Sequence, residues 1–259
     1  MNNSRTIETV RSSDLVTFKI LIEGTELSAV HQVKNISVEK EINRIPFAQV
    51  VFLDGEAASQ NFNLSNEDLL VPGKDIEIKA GYHNDVETIF KGIIIKHSIK
   101  IRENNSVLIV ECRDEAVKMT IGRKSNFYYE SKDSDIIEEI IGKYSLENEI
   151  EYTSFINKEM VQYRASDWDF IMTRAQLNGQ ICTVDDGKIK ISKPDLSQAE
   201  IETVAFGSTL LDFDAEMDAR NQFNSITAYG WNPSEQEIID AEANDPGISL
   251  NGNISVSDL

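Results

Sequence analysis

Cysteine is nearly absent from this sequence, which excludes a disulfide-stapled scaffold: of 259 residues only Cys112 and Cys182 are thiols, far apart in the chain. Cys112 continues the Leu108, Val110 face of an expected strand, so a buried free thiol is expected there. Histidine is equally scarce. His31, His83 and His97 are dispersed, with neither the i, i+4 nor the short-loop spacing of a metal site, and are expected as ordinary surface side chains. No apolar run approaches the ~20 residues that cross a bilayer as a helix. Met1-Asn-Asn-Ser-Arg-Thr-Ile-Glu8 lacks the basic start and apolar core of a secretory signal, so a cytosolic start is expected. Positive charge is also in deficit, 25 Lys+Arg against 44 Asp+Glu, for a formal net charge of −19. Such a field repels phosphate backbones and anionic lipid, which argues against nucleic acid and stable membrane insertion and favours solubility or a basic protein partner.

What is present is alternation. Val16, Phe18, Ile20 and Ile22 alternate with their neighbours up to a turn at Glu23-Gly24-Thr25, and further strands are expected at 33–40, 47–53, 71–80, 88–96, 97–102 and 107–112. About six or seven strands in the first ~115 residues is the density of a sandwich or small barrel. Gly92, inside one of these patterns, is expected to mark a bulge or bend. Residues 54–73 lack sustained alternation and form a long polar loop, of the length that is usually functional.

After residue 115 the pattern changes. Residues 133–145 read as an amphipathic helix with Ile137, Ile140, Ile141 and Tyr144 on one face and Asp133 or Ser134 as its cap. A second helix, about 167–178, starts at Ser166, carries Trp168, Ile171, Met172 and Ala175 as one stripe, and stops at Gly179. Residues 181–191 read as a hairpin with Asp186-Gly187 as its two-residue turn. Strands are expected at 210–213 and 224–231, and the six acids without a base from Asn232 to Leu259 read as an acidic linker or tail.

Candidate chemistry is sparse. Asp167 and Asp169 point about 200° apart on a helix, which suits capping and dipole roles and not a carboxylate pair at one bond. Asp185-Asp186 is favoured in a turn for backbone reasons. There is no Gly-x-Ser-x-Gly, Walker or dinucleotide motif, so neither enzyme activity nor a cofactor is expected. Just before the second helix, Arg164 either pairs with surrounding acids, worth under ~1 kcal/mol, or serves as an interface arginine.

The order of elements, with Gln162-Tyr-Arg-Ala-Ser-Asp-Trp-Asp-Phe170, Asn178-Gly179, the Asp185–Lys188 hairpin, Phe206-Gly207, Leu211-Asp-Phe213 and Tyr229–Pro233, resembles the VgrG spike proteins of type VI secretion. It is equally similar to phage late control D proteins and contractile-tail hubs. The motif residues are Gln162, Tyr163, Arg164, Ser166, Asp167, Phe170 and Gly179. The resemblance implies a mainly β (α+β) chain with two related β-barrel tail-hub domains and a short two-helix insertion. Its parts are a flexible arm (1–13), a first barrel (14–120), a second α+β domain (121–232) and the acidic linker (233–259). The second domain is expected to be incomplete at Leu259, because family members follow the position of Trp231 with further strands. Also implied are a homotrimeric ring matching a hexameric inner tube, a spike tip with effector or other baseplate partners, and assembly in the cytoplasm before expulsion to the exterior or a target cell. The polar loop, through Asp54, Asn61, Asn63, Asn66, Glu67 and Asp68, is the candidate surface for tube or subunit contact. The alternative is a β-barrel carbohydrate- or peptide-binding module, with a hydrolase third. A glycan binder calls for aromatic platforms converging in a cleft, whereas Trp168 is expected inside and Trp231 at a strand end.

Overall fold

Ile20 and Ile22, from the alternation that begins at Val16, turn to the buried face of a seven-stranded antiparallel sheet. A computed structural model describes residues 16–55, 61–83, 85–102, 105–195, 197, 199, 203–210, 212–216 and 225–244. The chain divides into two units, Arg11–Pro194 and Asp195–Leu259 with Met1–Val10. The expected arm at 1–13 lies outside the described residues.

In the larger unit the sheet comprises β1 (Val16–Ile22), β2 (Thr25–Glu26), β3 (Val33–Glu39), β4 (Phe47–Leu53), β5 (Asp75–Tyr82), β6 (Asp85–Arg102) and β7 (Asn105–Arg113). Their spatial order is β2-β1-β5-β6-β7-β4-β3. Ile20, Ile22, Val50, Phe52, Ile78, Phe90, Leu108 and Cys112 are buried together on its inner face. Among the described residues the hydrogen-bonded ladder is open from β2 to β3 and does not close into the expected barrel. Strand β2 has two residues, too few to carry the ladder across, and a cleft lined by Phe18, Ile20, Leu27, His31 and Val33 occupies that gap.

Two expected strands, 88–96 and 97–102, are one continuous 18-residue strand, β6. Its ladder with β5 slips where Ile78 faces Phe90 and Lys79 faces Thr88, and its ladder with β7 slips where Ile94 faces Cys112 and Lys96 faces Glu111. The extra residues are therefore Ile89 and Ile95, and Gly92 sits between the bulges instead of forming one. Its role is close approach: a Cβ there would lie 2.2 Å from the carbonyl oxygen of Arg113.

A second apolar cluster gathers around two helices. A 3-10 helix (Glu115–Thr120) leads to β8 (Lys124–Lys132), α1 (Asp133–Gly142), β9 (Glu147–Ile150), β10 (Ile156–Ala165), α2 (Asp167–Leu177), β11 (Ile181–Asp185) and β12 (Lys188–Ser192). Strands β8 and β10 pair as an antiparallel ribbon, while β9 adds in parallel to the β11–β12 hairpin. Ile137, Ile140 and Ile141 of α1 pack with Trp168, Ile171 and Ala175 of α2 and with Cys182, Ile189 and Ile191 beneath them. Both thiols are free and buried. Burial pushes each up to about 12, with Glu111 adding to the effect at Cys112.

Helix α1 departs from its expected ends. Its N-cap is Lys132, without a side-chain cap bond, because Asp133 is committed elsewhere; the hydroxyl of Thr153 accepts from the Ser134 N–H at 3.1 Å instead. The helix stops at Gly142, and Lys143 to Ser145 form a turn with Ser145 at φ 57°. Helix α2 ends as expected: the Gly179 N–H reaches Gln176 O at 3.0 Å and the Gln180 N–H reaches Ala175 O at 2.9 Å, a Schellman closure with Gly179 at φ 66°.

In the smaller unit, β13 (Thr227–Asn232) pairs with β14 (Glu237–Glu242). Part of the expected acidic linker is therefore a strand. The Asn232 side-chain oxygen accepts from the Ser234 N–H at 3.1 Å and its amide donates to Glu235 at 2.7 Å, folding the turn, while Trp231 faces Ile238 across the pair. Residues 212 and 213 carry no strand pairing, contrary to expectation, and Leu211 lies outside the described residues.

Candidate functional site

Residues 162–179 build a buried polar network and, next to it, an exposed ribbon face. Ser166 caps α2 through its Oγ, which accepts from the Asp169 N–H at 3.1 Å. Asp167 turns inward, with 2% of its side chain exposed. Its carboxylate accepts from Gln162 Nε2 at 2.8 Å, Lys124 Nζ at 2.6 Å and Tyr144 Oη at 2.6 Å. Gln162 is fully buried, accepts from Asn126 Nδ2 at 3.0 Å, and also donates to Ala165 O at 3.2 Å. One carboxylate thus ties β8, the end of α1, β10 and α2 together. Burial works against its charge, but the bonds from Gln162, Lys124 and Tyr144 outweigh burial and hold it below the ordinary carboxylate range. The same contact, chiefly, raises Lys124 above its usual value. A carboxylate saturated by three donors, shut away from solvent, is a structural anion and not an acid–base catalyst.

Phe170 lies over Tyr128, ring centroids 6.1 Å apart at 15°. Tyr163 and Arg164, by contrast, point out. The β8–β10 register slips between Gln162 and Ala165, where Arg164 takes φ 47° and its N–H donates to Ser125 Oγ at 3.2 Å.

A second network, invisible to sequence reasoning, clasps α1 to α2. Asp133 accepts from Arg174 Nε at 2.7 Å and Nη2 at 2.8 Å, from Asn178 Nδ2 at 2.8 Å and from Asn157 Nδ2 at 3.1 Å. Burial opposes its ionisation, and these bonds together lower its pKa all the same. A third joins the Asp186-Gly187 turn to the seven-stranded sheet. Lys40 pairs with both Asp185 and Asp186, the Lys91 N–H donates to Asp186 at 3.0 Å, and the Gly187 N–H donates to Asp114 at 2.8 Å. Burial raises the pKa of Asp114, bonds from Ala116 and Gly187 partly offset it, and Asp186 and Glu115 add repulsion. The available signal was the second acid beside an Asp-Gly turn, one more than the turn requires.

The candidate loop separates into anchor and tip. Asp54 is buried, not offered to a partner: it accepts from the Gly55 N–H at 3.0 Å, the Leu64 N–H at 3.1 Å and both the N–H and hydroxyl of Ser65. Those bonds outweigh burial and lower its pKa. Leu64 and Leu70 enter the sheet core, and the half-buried His97 places Nδ1 3.1 Å from Leu70 O. Asn61, Asn63, Asn66, Glu67 and Asp68 stand exposed, while 56–60 lie outside the described residues. Among the described residues no three His, Cys, Asp or Glu side chains form a metal-binding group.

The sequence model of the Alg8 N-terminal domain matches residues 12–259. The chain belongs to the Alg8 N-terminal domain family. No curated protein matches it. Among solved structures, this Alg8 N-terminal domain chain is similar to a tail protein from Neisseria meningitidis, at 12% identity and a TM-score of 0.62 over 91% of this chain and 69% of that one. It is similar to the 43 kDa tail protein of prophage MuSo2 from Shewanella oneidensis, at 11% identity and a TM-score of 0.62 over 91% and 71% of the two chains. A third likeness, at 14% identity and a TM-score of 0.52 over 83% and 57%, is to the E. coli c3393 protein, a type VI secretion component with similarity to T4 bacteriophage tail proteins gp27 and gp5. At such identities the likeness is one of fold: this Alg8 N-terminal domain is mainly β and built like tail proteins of phage and type VI secretion.

Proposed function

We propose that this Alg8 N-terminal domain chain is a structural hub or spike-base protein of a contractile injection system. Three copies form a ring that adapts a hexameric inner tube on one side to a trimeric puncturing spike on the other, and the assembly helps deliver effectors. The observation that carries this reading is the fold likeness to two tail proteins over 91% of the chain. The buried networks support it, because a load-transmitting adaptor needs rigid joints between its layers, and Asp167, Asp133 and the Asp186 turn are such joints. No step of the function requires catalysis. Assembly takes place in the cytoplasm, and firing carries the ring outward with the spike.

The exposed tip of the 61–68 loop is the tube-docking element in this reading. Replacing Asn61, Asn63, Asn66, Glu67 and Asp68 together with Ser, while keeping Asp54, Leu64 and Leu70, leaves the fold intact and abolishes co-sedimentation with purified inner tube. Undiminished co-sedimentation of that variant removes the loop from the account; failure of the unaltered chain to sediment with tube removes the hub reading.

A further inference from the structure

The ribbon of β8 and β10 carries its apolar residues on the wrong side for a core. Phe127 faces Val161 and Tyr129 faces Glu159 across the ladder, and Tyr163 follows on the same face. All four apolar members are exposed, Tyr163 by 74% and Phe127 by 66%. The opposite face is where Tyr128 and Gln162 are buried, and the outward aromatics belong to neither apolar cluster of the described residues. Two strands with no third in the ladder among the described residues also leave backbone donors and acceptors along their outer edges.

Charge on this ribbon runs against that of the chain. Residues 123–132 and 156–165 hold five cations against two carboxylates, a net of +3, in a chain of formal net charge −19, which leaves −22 on all other residues. Lys124 is engaged with Asp167 and Lys132 lies over the Tyr152 ring. Arg123, Lys158 and Arg164 are exposed and take part in no ion pair among the described residues. An exposed aromatic face bordered by unpaired cations is the composition of an interface centre, where Tyr, Phe and Arg are enriched.

We propose that the outward face of the β8–β10 ribbon docks on the acidic surface of a second copy of this chain, head to tail. Ribbon-to-ribbon contact is disfavoured because it sets like cations against one another, whereas the remaining residues of an identical copy carry a formal net charge of −22. A contact between unlike surfaces is heterologous, and such contacts close into rings when the rotation permits. The inference rests on the ring of the proposed function for its closure, but the contact itself stands on the ribbon's charge and exposure. It gives Arg164 its interface role and a use for the left-handed backbone that holds it.

The test begins with the 259-residue chain in sedimentation velocity across a concentration series at 0.15 M NaCl. The unaltered chain self-associates, and added salt weakens the association. The triple variant Arg123→Glu, Lys158→Glu, Arg164→Glu weakens it at least tenfold with an unchanged melting temperature. A photo-reactive p-benzoylphenylalanine in place of Tyr163, in isotope-labelled chain mixed with unlabelled chain, yields mixed-isotope cross-links to acidic segments outside the ribbon. A chain that stays monomeric throughout, a triple variant that associates like the parent, or cross-links confined to ribbon-on-ribbon or to one copy would each overturn the proposal. If parent and variant both form rings that cap tubes, the docking face falls and the hub reading stands. If the ribbon mediates association but no ring ever caps a tube, the hub reading falls and the docking face stands.

Discussion

Replacing Asp167 with Ala removes the acceptor on which four elements converge, and its cost can be worked contact by contact. Lys124 has 43% of its side chain exposed and Tyr144 is half-buried, so both can turn to water and each share is under ~1 kcal/mol. Gln162 cannot: it is fully buried, and without Asp167 its amide keeps only the 3.2 Å bond to Ala165 O, leaving one donor hydrogen unmet at a cost of about 1–3 kcal/mol. Loss of an acid from the first turn of α2 adds about 0.3–1 kcal/mol. Together these give a destabilisation of about 2–4 kcal/mol at pH 7, read as the shift in urea unfolding free energy. The pH dependence follows from the direction of the shift. The carboxyl is depressed in the fold relative to an unfolded value near ~3.9, so its contribution is complete above that value and is lost as pH falls through the lower folded one. The gap between parent and variant therefore narrows in acid. A variant within ~1 kcal/mol of the parent at pH 7, or a gap that persists unchanged in strong acid, would refute the assignment of Asp167 as a structural anion.

Other consequences are sharper in contrast than alone. Gly92→Ala forces a Cβ to within 2.2 Å of a backbone carbonyl oxygen and is expected to cost about 1–3 kcal/mol or more, whereas Gly142→Ala, with open space and helical backbone, is neutral or stabilising by under ~1 kcal/mol; paired thermal melts check both. Trp168→Ala removes a large side chain packed into the helix cluster and lowers stability by ~3–5 kcal/mol in denaturant unfolding. Cys112 and Cys182, buried and pushed up to about 12, are expected to resist a thiol reagent such as dithionitrobenzoate in the native state and to react stoichiometrically in urea. Native-state reactivity of either would show that its cluster opens.

Sequence made the locally encoded parts legible. Ser166, the apolar stripe and Gly179 place α2 within a residue, because cap, periodicity and stop all act inside one segment. The Asp186-Gly187 turn does the same for the β11–β12 hairpin, and alternation does it for β4. Strand β8 was hidden because its pattern is inverted: Asn126 faces Gln162 on the inner side, where they satisfy one another, while Phe127 and Tyr129 face out. Reading apolar as inward fails where a polar pair holds the inside. Strand β14 was masked by its acids, and the open sheet by the brevity of β2, which alternation cannot report. The candidate site divides in the same way. Asp167 and Ser166 lie where a helix start would put them, yet the partners of Asp167 come from 5, 23 and 43 residues away, and those of Asp133 from as far as 45. Asp54 looked like a polar loop tip and is the loop's anchor, because a carboxylate beside successive backbone N–H groups folds the chain around itself.

A ring-forming adaptor caps a tube end with fixed stoichiometry, and counting copies there tests the proposed hub role most directly. Cryo-electron microscopy of the chain mixed with the purified inner-tube protein that the proposal assigns to it is predicted to show a three-copy ring closing one end of a tube, with the 61–68 loop against the tube rim. Bare tube ends alongside a chain that remains a single copy in the same preparation would contradict it.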